Sequence, residues 1–133
     1  MVFSVGGKAF AVNANEVIGV VPWPTSIRVP STTPYLNEVV RRGHQVTPVY
    51  DLAEPWSLSV DQGSALCMVV KWGSTEAVVR VDSQIPSLET AEPDMIYSAV
   101  DGQQGLVGMW QFQGIEIPLV SFLQMGQSHK AAA

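Results

Sequence analysis

The sequence predicts an all-β fold. Glycine (11) and proline (9) recur along the whole of the 133 residues. The runs between them are short and rich in valine and isoleucine, and helical signal is thin. About ten short strands in so small a chain suggest closed barrels, since closure removes the unpaired edges that invite aggregation. At 47% hydrophobic, the chain can bury a core without staples, as one domain or as two intimately packed subdomains.

The first hairpin is expected from Val2 to Val5 and Ala9 to Val12, turning at Gly6-Gly7-Lys8. Asn15-Glu16 begins a short turn into a strand over Val17 to Val21. In "VPWPT" two prolines hold Trp23 extended and out of any central strand, so it is either an exposed anchor or a plug. The plug is favoured, with Trp72 and Trp110 packing on strand faces and Trp56 closing a loop. Strands follow at Val39 to Arg41 and Val46 to Tyr50, then Ala65 to Lys71 and Glu76 to Val81. The last three are Met95 to Val100, Leu106 to Phe112 and Ile115 to Val120. Ser121 caps one or two helical turns through "SFLQMGQ". Residues 128–133, "SHKAAA", lack an apolar pattern and read as a flexible tail, which leaves His129 and Lys130 without a functional part.

One internal similarity stands out. "NEVVRRGHQVTPVYDL" (Asn37 to Leu52) can be laid on "GMWQFQGIEIPLVSFL" (Gly108 to Leu123), with Gly43 on Gly114 and the closing leucines in step. Each reads strand, glycine turn, strand with a proline, and leucine, although Pro48 and Pro118 then fall one place out of register. Two related halves are implied, with a division near residues 53 to 64.

Charge and residue type exclude several functions. A net charge of -5 repels polyanions, so nucleic acid is not an expected partner. Cys67 is the sole cysteine and allows no intrachain disulfide. The start lacks a signal-peptide pattern and no apolar run approaches the roughly 18 residues of a membrane helix, which leads to an expected cytoplasmic location without membrane insertion.

No metal or cofactor is expected, because His44 and His129 are far apart and Cys67 has no neighbouring ligand. His44 is the one credible catalytic base, but it sits on a polar turn where a solvated histidine is the commoner finding. Gly102, Gly105 and Gly108 in "DGQQGLVG" precede a strand rather than a helix, so they ease turns and a bulge instead of cradling phosphate. Asp82, Glu89, Glu92, Asp94 and Asp101 are spread along a loop-rich stretch and read as a solvated acidic face. No catalytic residue is assigned, and the chain is not expected to be an enzyme.

What remains is segregated charge. Arg28, Arg41 and Arg42 lie close together in sequence, whereas positions 82–101 carry carboxylates and no basic residue. Arginine is enriched at protein interfaces, where its planar fork binds carboxylates and its stem covers apolar surface. A solubilised hairpin tip is the plain alternative.

"VPSTTPYLNEVVRRGHQVTPVYDL", residues 29–52, resembles the central motif of CheW-like domains: a strand, an Arg-Gly turn, and a strand ending Pro-Val-x-Asp-Leu. "FSVGGKAFAVNANEVIGVV" is similar to that family's opening hairpin. "LCMVVKWGSTEAVVRVDSQI" is similar to its central hairpin, and "YSAVDGQQGLVGMWQFQGIEIPLVSFLQM" to its closing hairpin and short helix. Asn37 stands at the usual glycine, Ala77 where glycine is common, and Val120 or Ser121 at the usual Asp, which marks a divergent member.

The resemblance implies two packed, five-stranded SH3-like barrels with one or two short helices. It also implies a non-catalytic adaptor that joins chemoreceptor cytoplasmic hairpin tips to the regulatory domain of a CheA-type histidine kinase, with weak self-association and recruitment to membrane-bound arrays. The partner-binding positions carried over are Arg42 and Gly43 with neighbouring Arg41, Asn37 at the family glycine, and Val17 on the early segment. Two alternatives stay open: a barrel scaffold of the same fold serving another assembly, such as pilus or gliding control, and an enzyme with a pocket near His44 or the acidic stretch.

Overall fold

The structure is a computed structural model that describes residues 1–33, 35–61, 63–98 and 105–132, the last five by their backbone alone. The short valine-rich runs pair into strands β1 (Val2–Val5), β2 (Lys8–Val12), β3 (Val17–Pro22), β4 (Ser26–Arg28), β5 (Glu38–Arg42) and β6 (Gln45–Tyr50). They continue as β7 (Leu66–Trp72), β8 (Thr75–Val81), β9 (Ile96–Tyr97), β10 (Leu106–Phe112) and β11 (Ile115–Val120), and the chain ends in helix α1 (Phe122–Ala132). Strand β4 was not expected, being three residues between prolines. Strand β9 begins at Ile96 rather than at Met95, because Pro93–Met95 forms a 3-10 turn, and it ends at Tyr97, before Ser98. Ala99, Val100, Asp101 and Gly102 lie outside the described residues.

Two sheets result, ordered β1-β2-β11-β10-β9 and β3-β7-β8-β6-β5-β4. Each contains one parallel pair, β2 with β11 and β6 with β8, flanked by antiparallel hairpins. The sheets therefore share a five-strand plan, and β3 extends the second to six where five were expected. The first sheet uses the chain's two ends and the second its middle. Residues 53–64, where the sequence suggests a division, connect β6 to β7 within one sheet. The halves divide this way because the parallel pair brings β11 back beside β2.

The internal similarity is real, but its register moves by one. The β5–β6 turn places Arg42 opposite Gln45, and the β10–β11 turn places Phe112 opposite Ile115, which superimposes Pro48 on Pro118. Both prolines immediately precede the residues in parallel pairing, Val49-Tyr50 and Leu119-Val120. The glycines fall out of step because the turns differ. Gly43 alone has positive φ in the first, as a type II′ turn requires, whereas Gln113 and Gly114 both do in the second, as in type I′.

Strand alternation sorts the apolar side chains into three layers. A central core takes Phe3 and Phe10 from the first sheet, Tyr50, Met68 and Val79 from the second, and Phe122 from α1. A second layer gathers Val40, Val49, Cys67, Val69 and Val78, and a third Ala11, Trp110 and Ile117. Trp23 packs on the second layer as the favoured plug, in the short link that carries the chain from edge strand β3 to the opposite edge strand β4. Such a link brings the sheet's edges within reach of each other, as closing a barrel requires. Trp72 and Trp110 are buried, and Trp56 meets Phe10 edge-on at 5.2 Å.

Helix α1 runs longer than the one or two turns expected. Its N-terminus is capped twice: Ser121 Oγ accepts from the Gln124 amide at 3.2 Å, and Glu16 accepts from the Leu123 amide at 3.0 Å and from Ser121 Oγ at 3.1 Å. That double cap satisfies amides the helix itself leaves open and seats it on β7.

Candidate functional site

The β5–β6 hairpin ends at Arg42, Gly43 and His44. Gly43 sits at φ +61°, with open space where a side chain would go. Arg41 and Arg42 are consecutive strand residues and so project to opposite faces. Arg41 is exposed, and its Nε donates to the Gly43 carbonyl at 3.3 Å. Arg42 instead reaches over β6 to β8, where its Nη2 donates to Glu76 Oε1 at 3.1 Å. Glu76 is the register partner of Lys71 across the β7–β8 ladder.

Beside this pair lies an open groove of about 780 Å³, lined by Ile18, Gln45, Val46, Pro48, Lys71 and Glu76 among others. Its apolar walls are Ile18 and Val46, 51% and 66% exposed. Ile18 is pushed outward because the β3–β7 register shifts between Val17 and Gly19, the mark of a bulge at the residue between them.

Of the positions carried over from the family resemblance, Arg42 reaches the groove through Glu76. Val17 packs partly buried against the central core, and its neighbour Ile18 faces the groove. Asn37 is half-buried just before β5, where its carbonyl accepts from the Val29 amide at 2.9 Å. Gly43 shapes the turn. Sequence reasoning missed Ile18, Val46, Lys71 and Glu76, whose convergence depends on the strand order β3-β7-β8-β6.

A second ion pair has a different character. Arg80 binds Glu38 through both terminal guanidinium nitrogens, Nη1 at 3.3 Å and Nη2 at 3.1 Å, and lies 4.1 Å over the Trp23 ring. The side chains are 14% and 15% exposed. Burial alone would raise the Glu38 carboxyl, but hydrogen bonds from Arg80 and Ser26 and the charges of Arg80 and Arg28 outweigh it and hold the group below the usual carboxylate range. This pair belongs to the packed interior.

Elsewhere the chemistry is quiet. Burial pushes the Cys67 thiol up to about 11, against the nearby charges of Arg42 and Arg80, so it stays protonated and a poor nucleophile. His44 is exposed on the hairpin tip. Among the described residues no three His, Cys, Asp or Glu side chains gather as a metal site would need, and no helix is long and apolar enough to cross a membrane. Gly108 sits at the register shift in β10, as the bulge reading expected. Glu89, Glu92 and Asp94 are exposed, whereas Asp82 departs from that acidic face. It is half-buried, accepting from Ser4 Oγ and the Gly6 and Gly7 amides.

Two packed sheets built on one repeated strand plan, with a charged groove at the end of one hairpin, define an all-β double-sheet domain. The chain belongs to the CheW-like domain family, whose model matches residues 1–125. Over 58 residues it is 36% identical to the chemotaxis protein CheW of Bacillus subtilis (strain 168), a match covering 44% of this chain and 37% of that protein. It is similar in structure to the scaffolding protein TtCheW from Thermoanaerobacter tengcongensis, with a TM-score of 0.75 over 90% of this chain and 86% of that one. Identity to TtCheW is 15%, so that likeness speaks for the fold.

Proposed function

We propose that the chain is a non-catalytic adaptor that couples chemoreceptors to a CheA-type histidine kinase within a chemosensory array, in the cytoplasm beside membrane-bound receptors. The observation that carries this reading is the groove itself: exposed Ile18 and Val46 together with Lys71 and with Glu76, to which Arg42 is paired, on a member of the CheW-like family. An adaptor performs no bond chemistry. It needs surfaces that hold two partners in fixed relation, and a rigid pair of sheets supplies that.

In this account a helix of the receptor hairpin tip lays apolar side chains on Ile18 and Val46, and burying those two residues contributes on the order of 1 kcal/mol each. Arg42 fixes register through a charge-assisted hydrogen bond to an acidic side chain of the tip. Asn37, Gly43 and Arg41 shape and flank the hairpin that presents it. The kinase regulatory domain takes a separate sheet edge, and contacts of the same kind between copies give weak self-association.

Arg42→Ala should weaken binding of the receptor tip by about 1 to 2 kcal/mol, roughly 5- to 30-fold, while the melting temperature changes little. The Arg42–Glu76 ion pair itself favours a second reading, in which Arg42 ties two hairpins of a scaffold serving another assembly. A large fall in melting temperature with unchanged receptor binding would decide for that reading.

A further inference from the structure

We propose that Glu76 is a built-in stand-in for the partner's carboxylate, and that docking proceeds by exchange, an acidic side chain of the receptor hairpin displacing Glu76 from Arg42. This inference rests on the adaptor reading above. Its basis is the contrast between the chain's two arginine–glutamate pairs. Arg80–Glu38 is bidentate, stacked on Trp23, and 14% and 15% exposed. Arg42–Glu76 uses one guanidinium nitrogen, and its side chains are 25% and 42% exposed.

A pair so open to water gains little from its own attraction, because solvent screens it and holding two long side chains together costs entropy. Breaking it is therefore cheap. Glu76 lines the groove together with Ile18 and Val46 and holds Arg42, 25% exposed, beside it, where an incoming helix would exclude water and strengthen any new pair. Lys71, directly across the ladder from Glu76, offers the displaced carboxylate a second cation. The groove thus holds its arginine extended and neutralised until a carboxylate of better geometry arrives. Glu76 lowers affinity for every ligand in proportion to the cost of displacing it, and so selects for partners that bring an acid.

The test titrates the full chain with a purified cytoplasmic hairpin-tip fragment of a chemoreceptor from the same organism, at low and high salt, with melting temperatures as a check on folding. Glu76→Gln should bind the fragment roughly two- to fivefold tighter than the unmodified chain at low salt, the range an exposed ion pair spans. In an Arg42→Ala background the same change should bring no gain. If the unmodified chain binds and Arg42→Ala weakens binding, but Glu76→Gln binds equally or more weakly, Glu76 orients Arg42 and the exchange proposal fails while the adaptor reading stands. A gain that persists without Arg42 also overturns it, since the effect would then be one of net charge. No binding by the unmodified chain removes the adaptor reading and this inference together, whereas binding that Arg42→Ala leaves unchanged removes this inference and the part given to Arg42 but not the adaptor reading.

Discussion

Asp82→Ala should loosen the junction between the two sheets. The residue follows β8 of the second sheet and reaches the β1–β2 turn of the first. Its Oδ2 accepts from Ser4 Oγ at 2.6 Å and from the Gly7 amide at 2.9 Å, its Oδ1 from the Gly6 amide at 2.9 Å, and its own amide donates to the Ser4 carbonyl at 2.8 Å. Three charge-assisted hydrogen bonds in a fully buried site would contribute more, but Gly7 is exposed and water replaces part of what is lost, which leaves about 2 kcal/mol. For a domain of this size that lowers the melting temperature by roughly 6 to 10 °C.

The same contacts set a pH dependence. Burial alone would raise the Asp82 carboxyl, but the hydrogen bonds from Ser4, Gly7 and Gly6 outweigh it and hold the group below its ordinary value. A carboxylate depressed in the folded state stabilises above its unfolded pKa and loses that contribution as pH falls through the folded value. The gap between the unmodified chain and Asp82→Ala should therefore be full at pH 7 and narrow below about pH 4. Thermal unfolding followed by circular dichroism at both pH values reads it. A fall under about 2 °C at pH 7, or a gap that stays constant in acid, would refute the account.

Two further variants probe packing. Gly126→Ala gains up to about 1 kcal/mol of helix propensity in principle. The added methyl group would, however, overlap the Gly73 amide nitrogen and the Trp72 backbone where α1 crosses the β7–β8 turn, so chemical denaturation should show a net loss of about 1 to 3 kcal/mol. Cys67, fully enclosed in the second layer with its thiol at about 11, should react with a thiol-specific disulfide reagent at pH 8 only as fast as the domain opens. Rapid labelling in native buffer would show that the Trp23 plug does not seal that layer.

Most strands were legible because valine-rich runs broken by glycine and proline have few other solutions. Strand β4 escaped because three residues between prolines carry no period, and β9 starts one residue later than expected because Pro93 opens a 3-10 turn through Met95. The repeat was legible as well, but Gly43 and Gly114 misled its register: positive φ can fall on either turn residue, whereas proline marks the start of the parallel pair. Arg42 was singled out through the family motif. Glu76, Lys71, Val46 and Ile18 were not, since strand order rather than chain proximity assembles them. The bulge beside Val17 also turned the outward residue from Val17 to Ile18, a phase that alternation alone does not reveal.

The central claim is that two different partners dock on this domain and that one uses the groove beside Arg42. Titrating isotope-labelled protein with a cognate receptor hairpin tip and, separately, with a CheA-type regulatory domain, while following backbone amide shifts, tests it most directly. The account predicts that the tip perturbs Arg42, Val46, Ile18 and Glu76 together and that the kinase domain perturbs a separate sheet edge. Unchanged spectra with both cognate partners, or tip-induced shifts confined to the first sheet, would contradict it.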